Sequence, residues 1–236
     1  MMLNSINIIT GRLSSGKSTV ARILRENGCH VIDLDFVFTD IIQHDPVART
    51  LLNSRFGVDP TNELGEMHET ISEKLINDSD TYAWVWRKLS NRIIPVLEEV
   101  IGLLILGGET FFIELPVIYP WLNNWLLKYM TVREFHISVT DDNERLERRV
   151  KEFIKKKELV VDFKPTASIL LFHSKEEIER NKKLVIVYRS ILDIFDSRQR
   201  DYEEAGHGVD TLRHDFLNDD ETAPAIIASK ILEEVG

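Results

Sequence analysis

Short apolar segments alternate along the chain with longer segments in which apolar residues recur every three or four positions. The short segments are typical of β-strands and cover residues 6–10, 29–33, 109–116, 132–139 and 208–214. The longer ones predict helices over residues 17–26, 35–56 with a break at Asp45-Pro46, 65–78, 79–108, 141–157, 174–206 and 219–236. Because strands and helices alternate from end to end, we expect an α/β fold with a parallel five-stranded sheet and helices on both faces.

The turn between the first strand and the first helix reads GRLSSGKST and fits the pattern G-x-x-x-x-G-K-[ST]. Glycines allow the backbone to approach phosphate oxygens, and the amides of such a loop at a helix N-terminus favour a polyphosphate. In this pattern the lysine reaches the β- and γ-phosphates, and the hydroxyl of the next residue binds Mg²⁺. The predicted ATP-binding residues are therefore Gly11, Ser14, Ser15, Gly16, Lys17, Ser18 and Thr19, with Ser18 as a Mg²⁺ ligand.

Two aspartates end the second predicted strand, in the segment HVIDLDFVF. The carboxyl ends of parallel strands meet at one edge of a sheet, so Asp33 is expected beside the phosphate loop if the two strands are neighbours or are separated by one other. There its carboxylate would bind Mg²⁺ or accept the proton of an attacking hydroxyl. A helix cap is the alternative for Asp35, whereas Asp33 is expected to lie inside the strand and not to cap the helix.

Composition narrows the class of protein further. The 236 residues carry a net charge of −10, which argues against nucleic acid as a partner, and the single cysteine, Cys29, excludes an internal disulfide. No apolar segment has the length of a membrane span, and the N-terminus does not resemble a signal peptide. We therefore expect a cytoplasmic protein with small-molecule substrates and no membrane partner, either a monomer or a weak homo-oligomer.

The phosphate loop followed by D-x-D resembles the opening of the dephospho-CoA kinases, and the similarity continues in RFGVDP, FFIELPVIY, NERLERR and SRQRDYEEAGHGVDTLRHD. The resemblance implies a three-layer P-loop kinase fold that transfers the γ-phosphate of ATP, with Mg²⁺, to the 3′-hydroxyl of dephospho-CoA. It implies catalytic roles for Lys17 and for Asp33, which would act as the base. Arg145, Arg148 or Arg149 would be the lid arginine, and Arg145 and Arg149 are the two assigned to catalysis.

The resemblance also implies that the acceptor contacts Asp33, Asp35, Glu114 and Pro116. Several positions depart from the family pattern. Among them, Glu114 ends the third strand where the family has aspartate, and His214 stands where the family has an asparagine in its final strand. A kinase that acts on (deoxy)nucleoside monophosphates therefore stays open. A nucleotide-binding switch protein without efficient transfer is a third reading.

The resemblance divides the single kinase domain into three parts. The core would comprise residues 1–57, 107–145 and 205–236, the helical acceptor subdomain residues 58–106, and an enlarged lid residues 145–204. Residues 150–190 hold ten basic and six acidic residues, an excess of positive charge within an acidic chain. This segment is either a solvated pair of charged helices or a basic lid that closes over anionic substrates.

Overall fold

The computed structural model describes residues 6–63, 67–115, 125–126, 128, 131–141, 148, 211–219 and 223–235. Five strands form one parallel sheet: β1 (Ile6–Gly11), β2 (His30–Asp33), β3 (Phe111–Glu114), β4 (Val132–Ser138) and β5 (Thr211–Leu217). The helices within the described residues are α1 (Lys17–Glu26), α2 (Leu34–His44), α3 (Pro46–Phe56), α4 (Glu69–Asn77), α5 (Ser79–Gly107) and α6 (Ala223–Val235).

The strand order is β2-β3-β1-β4-β5, which places β1 in the centre of the sheet and separates it from β2 by one strand. The parallel five-stranded sheet expected from the sequence is confirmed. The ends of β1, β2 and β3 meet at one edge, where Gly11, Asp33 and Glu114 complete their strands. Residues that are distant in the chain therefore lie close together at this edge.

Two hydrophobic clusters hold helices against opposite faces of the sheet. On one face, apolar residues of α2, α3 and α5 pack with Ile6, Ile8 and Ile113. On the other face, α1 and α6 pack around Ile9, Phe112 and Phe135. Alternate residues of β1 therefore enter different cores, as the two-residue period of a strand requires, and the architecture has three layers.

The predicted break between α2 and α3 is confirmed and has a clear cause. The Asp45 carboxylate accepts hydrogen bonds from the backbone N–H groups of Val47 and Ala48, and Pro46 occupies the first turn of α3. A proline has no N–H to donate, so the first turn is where a helix tolerates it best. Helix α5 continues through Pro95 without interruption.

The strands differ from the predicted ones mainly at their ends. β5 begins at Thr211 and extends to Leu217, three residues beyond the predicted end, and β3 is shorter than predicted. The two charged helices predicted over residues 141–157 and 174–206, and with them most of the expected lid, lie outside the described residues, apart from Asp141 and Arg148. The division into core, acceptor subdomain and lid stays a prediction.

Candidate active site

The phosphate loop connects β1 to α1, and both of its pattern glycines are required by the fold. Gly11 has φ 139°, and a Cβ there would lie 2.1 Å from the carbonyl oxygen of Ile137 on β4. Gly16 has φ 94° and occupies the N-cap position of α1, where no side chain caps the helix. No side chain therefore occupies the N-terminus of α1, and the backbone amides and the helix dipole give this end a partial positive charge that favours an anion.

The ammonium group of Lys17 is held inside this loop. The residue is 5 % exposed, and Nζ donates hydrogen bonds to the backbone carbonyl oxygens of Gly11 at 2.8 Å and Arg12 at 3.0 Å. A buried cation needs such partners, and phosphate oxygens are stronger acceptors than carbonyl oxygens. The loop thus holds a positive charge at the position where a polyphosphate would bind.

Two hydroxyl groups of the loop also suit a polar ligand. Ser14 has φ 62°, a left-handed conformation that is uncommon for a residue with a side chain. The Oγ atoms of Ser14 and Ser15 are buried and have no hydrogen-bond partner within the described part of the chain. Strained backbone together with unsatisfied buried polar atoms is typical of ligand-binding loops.

An acidic group lies beside the loop, at the ends of β2 and β3. The Ser18 hydroxyl donates a 2.6 Å hydrogen bond to Oε1 of Glu114, and Asp33 is the register partner of Glu114 on the adjacent strand. Glu114 is 5 % exposed, and its Oε2 has no partner among the described residues. A hydroxyl and carboxylates next to a phosphate loop form a donor set suited to Mg²⁺, which prefers oxygen ligands and is completed by phosphate oxygens and water.

Burial raises the pKa of the Glu114 carboxyl above its ordinary value, and the neighbouring charge of Asp33 raises it further. The hydrogen bond from Ser18 and the positive charges of Lys17 and Arg25 act in the opposite direction. The carboxylate form of Glu114 is therefore costly in this structure, and a divalent cation would offset that cost.

The local role of the D-x-D segment differs from the prediction. Asp33 is at once the last residue of β2 and the N-cap of α2, since its Oδ1 accepts a 3.1 Å hydrogen bond from the Phe36 N–H. Asp35 lies exposed in the first turn of α2 and is not its cap. The expectation that Asp33 does not cap the helix is therefore wrong, and so is the alternative of a cap at Asp35. A carboxylate has about four acceptor positions, and the cap uses one of them. Asp33 thus keeps acceptor capacity at the edge of the sheet.

A second polar group reaches the loop from β5 and from the start of the expected lid. Asn218 follows β5, and its side-chain Nδ2 donates a 2.7 Å hydrogen bond to the backbone carbonyl oxygen of Ser15. The backbone carbonyl oxygen of Asn218 accepts a 2.9 Å hydrogen bond from Nη2 of Arg148. Of the three candidate lid arginines, Arg148 is the one that lies within the described residues. Arg145, Arg149 and Pro116 lie outside them.

Asn218 was missed by the sequence reading, which looked for an asparagine at His214. The His214 ring instead stacks on Phe135 with 5.4 Å between ring centroids, on the face of the sheet that α1 and α6 cover. The signal that identifies Asn218 is its position directly after the last strand, at the edge where the other strands also end. Using that signal requires the true end of β5, which the pattern placed too early.

Trp84 and Trp86 make packing contacts. The Arg55 guanidinium lies 5.3 Å from the centroid of the Trp84 ring, and the Trp86 ring stacks on the Phe38 ring with 4.2 Å between their centroids.

Within the described residues, no group of three or more His, Cys, Asp or Glu side chains forms a metal cluster. None of the helices described here has the length and apolarity needed to cross a membrane.

Residues 6–118 match the family model described as dephospho-CoA kinase. A dephospho-CoA kinase of Streptococcus pyogenes serotype M28 is 27 % identical over 175 residues, which cover 70 % of this chain and 87 % of that protein. The chain is thus similar in sequence to dephospho-CoA kinases. The segment that aligns with a dephospho-CoA kinase domain-containing protein of Danio rerio, also 27 % identical, covers 47 % of this chain and about half of that protein (49 %).

Solved structures support the same fold for this chain. The dephospho-CoA kinase from Campylobacter jejuni superposes with a TM-score of 0.52 at 17 % identity, covering 100 % of this chain and 99 % of that one. The protein TT1252 from Thermus thermophilus superposes with a TM-score of 0.56 at 18 % identity, with 99 % of each chain covered. The two superpositions thus agree with the three-layer α/β fold described above.

Proposed function

We propose that the chain is an ATP-dependent kinase that transfers the γ-phosphate to the 3′-hydroxyl of dephospho-CoA and so forms coenzyme A. The observation that carries the proposal is the edge of the sheet where Lys17 fills the phosphate loop and Ser18 bonds to Glu114 beside Asp33. Cationic, hydroxyl and carboxylate groups then face one space, as phosphoryl transfer requires. The similarity to dephospho-CoA kinases supports the choice of acceptor.

Each of these side chains has a role in the proposed reaction. Lys17 and the first amides of α1 bind the phosphates of ATP and stabilise the charge that develops on the transferring group. Ser18 and Glu114, together with Asp33, would hold Mg²⁺, which neutralises charge on the β- and γ-phosphates when bound. Assigning Glu114 to the metal adds to the acceptor role that the resemblance implied for it.

Asp33 is proposed to orient the acceptor hydroxyl and to accept its proton. The hydroxyl oxygen forms a bond to the γ-phosphorus, the bond between that phosphorus and the bridging oxygen breaks, and ADP leaves. Arg148 is the arginine that we assign to the nucleotide, because its guanidinium bonds to Asn218 beside the loop. Arg145, Arg149, Asp35 and Pro116 stay candidates from the resemblance alone.

One observation keeps a second acceptor class open. The third strand ends in Glu114, whose side chain is one methylene longer than the aspartate of the family, and it bonds to Ser18 at the centre of the site. A longer carboxylate at this position alters the space beside Asp33. A (deoxy)nucleoside monophosphate is therefore the alternative acceptor, in the same transfer reaction.

The test offers the purified chain Mg-ATP with dephospho-CoA and, separately, with each nucleoside and deoxynucleoside monophosphate. We expect phosphorylated product from dephospho-CoA, identified by mass, and none from the Lys17→Ala variant as the matched control. Turnover of a nucleoside monophosphate without turnover of dephospho-CoA would favour the second acceptor class. ATP binding without transfer to any acceptor would contradict the kinase proposal and favour a nucleotide-binding switch protein.

A further inference from the structure

The peptide unit between Ser15 and Gly16 is fixed from outside the phosphate loop. The Ser15 carbonyl oxygen accepts a 2.7 Å hydrogen bond from Nδ2 of Asn218, which is 203 positions away in the chain. Asn218 is 2 % exposed, so this contact is buried. Oδ1 of Asn218 has no partner within the described residues, and turning the amide over would place this oxygen against the Ser15 oxygen, so Nδ2 is the atom that must face the loop.

This contact determines where a phosphate-binding amide points. A trans peptide unit is planar, so its carbonyl oxygen and its N–H point in opposite directions. Holding the Ser15 oxygen towards Asn218 therefore turns the Gly16 N–H to the other side of the unit. The Gly16 N–H belongs to the group of amides at the start of α1 that can receive an anion.

Asn218 is itself anchored to the sheet. Its N–H donates a 2.8 Å hydrogen bond to the carbonyl oxygen of Ser138 at the end of β4. The next residue, Asp219, accepts a 3.0 Å bond from the Thr140 N–H. The segments that follow β4 and β5 are thus joined, and the Asn218 amide extends from a rigid base.

Gly16 and Asn218 also fit each other closely. A Cβ at position 16 would lie 2.1 Å from Nδ2 of Asn218, so the amide occupies the space that a side chain at Gly16 would need. The second glycine of the loop is therefore required by its backbone conformation and by this neighbour. A contact that orients the loop requires the Asn218 amide to approach the backbone of Gly16 this closely.

We propose that Asn218 is a positioning residue that holds the 15–16 peptide unit in its phosphate-binding orientation and so sets the affinity of the site for the phosphates of the nucleotide. The proposal rests on the function proposed above. It is distinct from a direct contact of Asn218 with the base or with the acceptor. We assign Asn218 no part in the chemical step itself.

The test compares Asn218→Ala with Asn7→Ala. Nδ2 of Asn7 donates to the Phe111 carbonyl oxygen at 3.0 Å, and Oδ1 of Asn7 also has no partner in the described part of the chain. The control thus removes the same kind of hydrogen bond from the same sheet, away from the loop. Affinities for Mg-ATP and for inorganic triphosphate are measured by calorimetry, and thermal midpoints by differential scanning fluorimetry.

We expect Asn218→Ala to weaken binding of both ligands by about 10- to 100-fold, because one hydrogen bond from a backbone amide to a charged phosphate contributes on that scale. Asn7→Ala should lower the thermal midpoint without changing either affinity by more than about twofold. Equal affinities in the two variants would overturn the proposal, and so would a loss confined to ATP, which would mean that Asn218 acts on the nucleoside. If the unaltered chain binds neither ligand, the proposed function itself fails, a result that the variants cannot imitate.

Discussion

Replacing Glu114 by glutamine is expected to stabilise the chain while it abolishes most of its activity. Glu114 is 5 % exposed, and burial is the main cause of its raised pKa, with the charge of Asp33 adding to it. A glutamine keeps a carbonyl oxygen that can accept the 2.6 Å hydrogen bond from Ser18, and it removes the buried charge. Removing an unfavourable buried charge from a functional site stabilises a protein by about 0.5–2 kcal/mol, equivalent to a rise of roughly 1–8 °C in the thermal midpoint of a chain of this size.

The pH dependence of this gain has a definite sign. A carboxyl whose pKa is raised on folding contributes stability below its ordinary pKa in the unfolded chain and loses that contribution as pH rises through the folded pKa. The Glu114→Gln variant has no carboxyl at this position and does not lose stability in this way as pH rises. Its advantage should therefore be absent near pH 4 and largest at neutral pH.

Thermal unfolding from pH 4 to pH 8 in the presence of EDTA measures this difference without bound metal. Added Mg-ATP should stabilise the unaltered chain more than the variant, because the variant has lost a proposed metal ligand, and kcat should fall by at least about a hundredfold. A variant that is less stable than the unaltered chain at pH 7.5 would refute the argument from burial. Unchanged kcat would remove Glu114 from the proposed metal site.

Three further substitutions test separate parts of the site. Asp33→Asn should keep the cap of α2, because asparagine caps as well as aspartate, and should hold ATP affinity within about tenfold while kcat falls at least a hundredfold; unchanged kcat would remove Asp33 from the mechanism. Gly11→Ala should lower the free energy of unfolding, measured by chemical denaturation, by about 2 kcal/mol or more. The control Gly28→Ala should lower it by about 1 kcal/mol, because a Cβ added there meets nothing within 4 Å. Equal losses would contradict the close approach of Gly11 to β4. Arg148→Ala should raise the KM for ATP about tenfold with little change in thermal midpoint, and an unchanged KM would remove this arginine from the nucleotide site.

The phosphate loop could be predicted from sequence because its residues are determined locally. Gly11 and Gly16 adopt positive φ, Lys17 must reach back over the loop, and all of these requirements lie within nine consecutive residues. The parallel sheet followed from the alternation of strands and helices. Its order then brought Asp33 to the expected edge, one strand away from β1.

The contacts across that edge could not be predicted in the same way. Ser18 and Glu114 are 96 positions apart, and Asn218 and Ser15 are 203 apart, so each pair depends on the order and the exact ends of the strands. The cap at Asp33 was missed for a different reason. α2 begins directly after β2 with no connecting residue, so one aspartate ends the strand and caps the helix, and periodicity cannot show such an overlap.

The groups around Lys17 are proposed to perform phosphoryl transfer to a bound acceptor. The most direct measurement incubates the purified chain with Mg-ATP and dephospho-CoA and quantifies ADP and coenzyme A in the same samples. We expect both products to accumulate in equal amounts and the Lys17→Ala variant to form neither. ADP without coenzyme A or any other phosphorylated acceptor, or undiminished transfer by Lys17→Ala, would contradict the proposal.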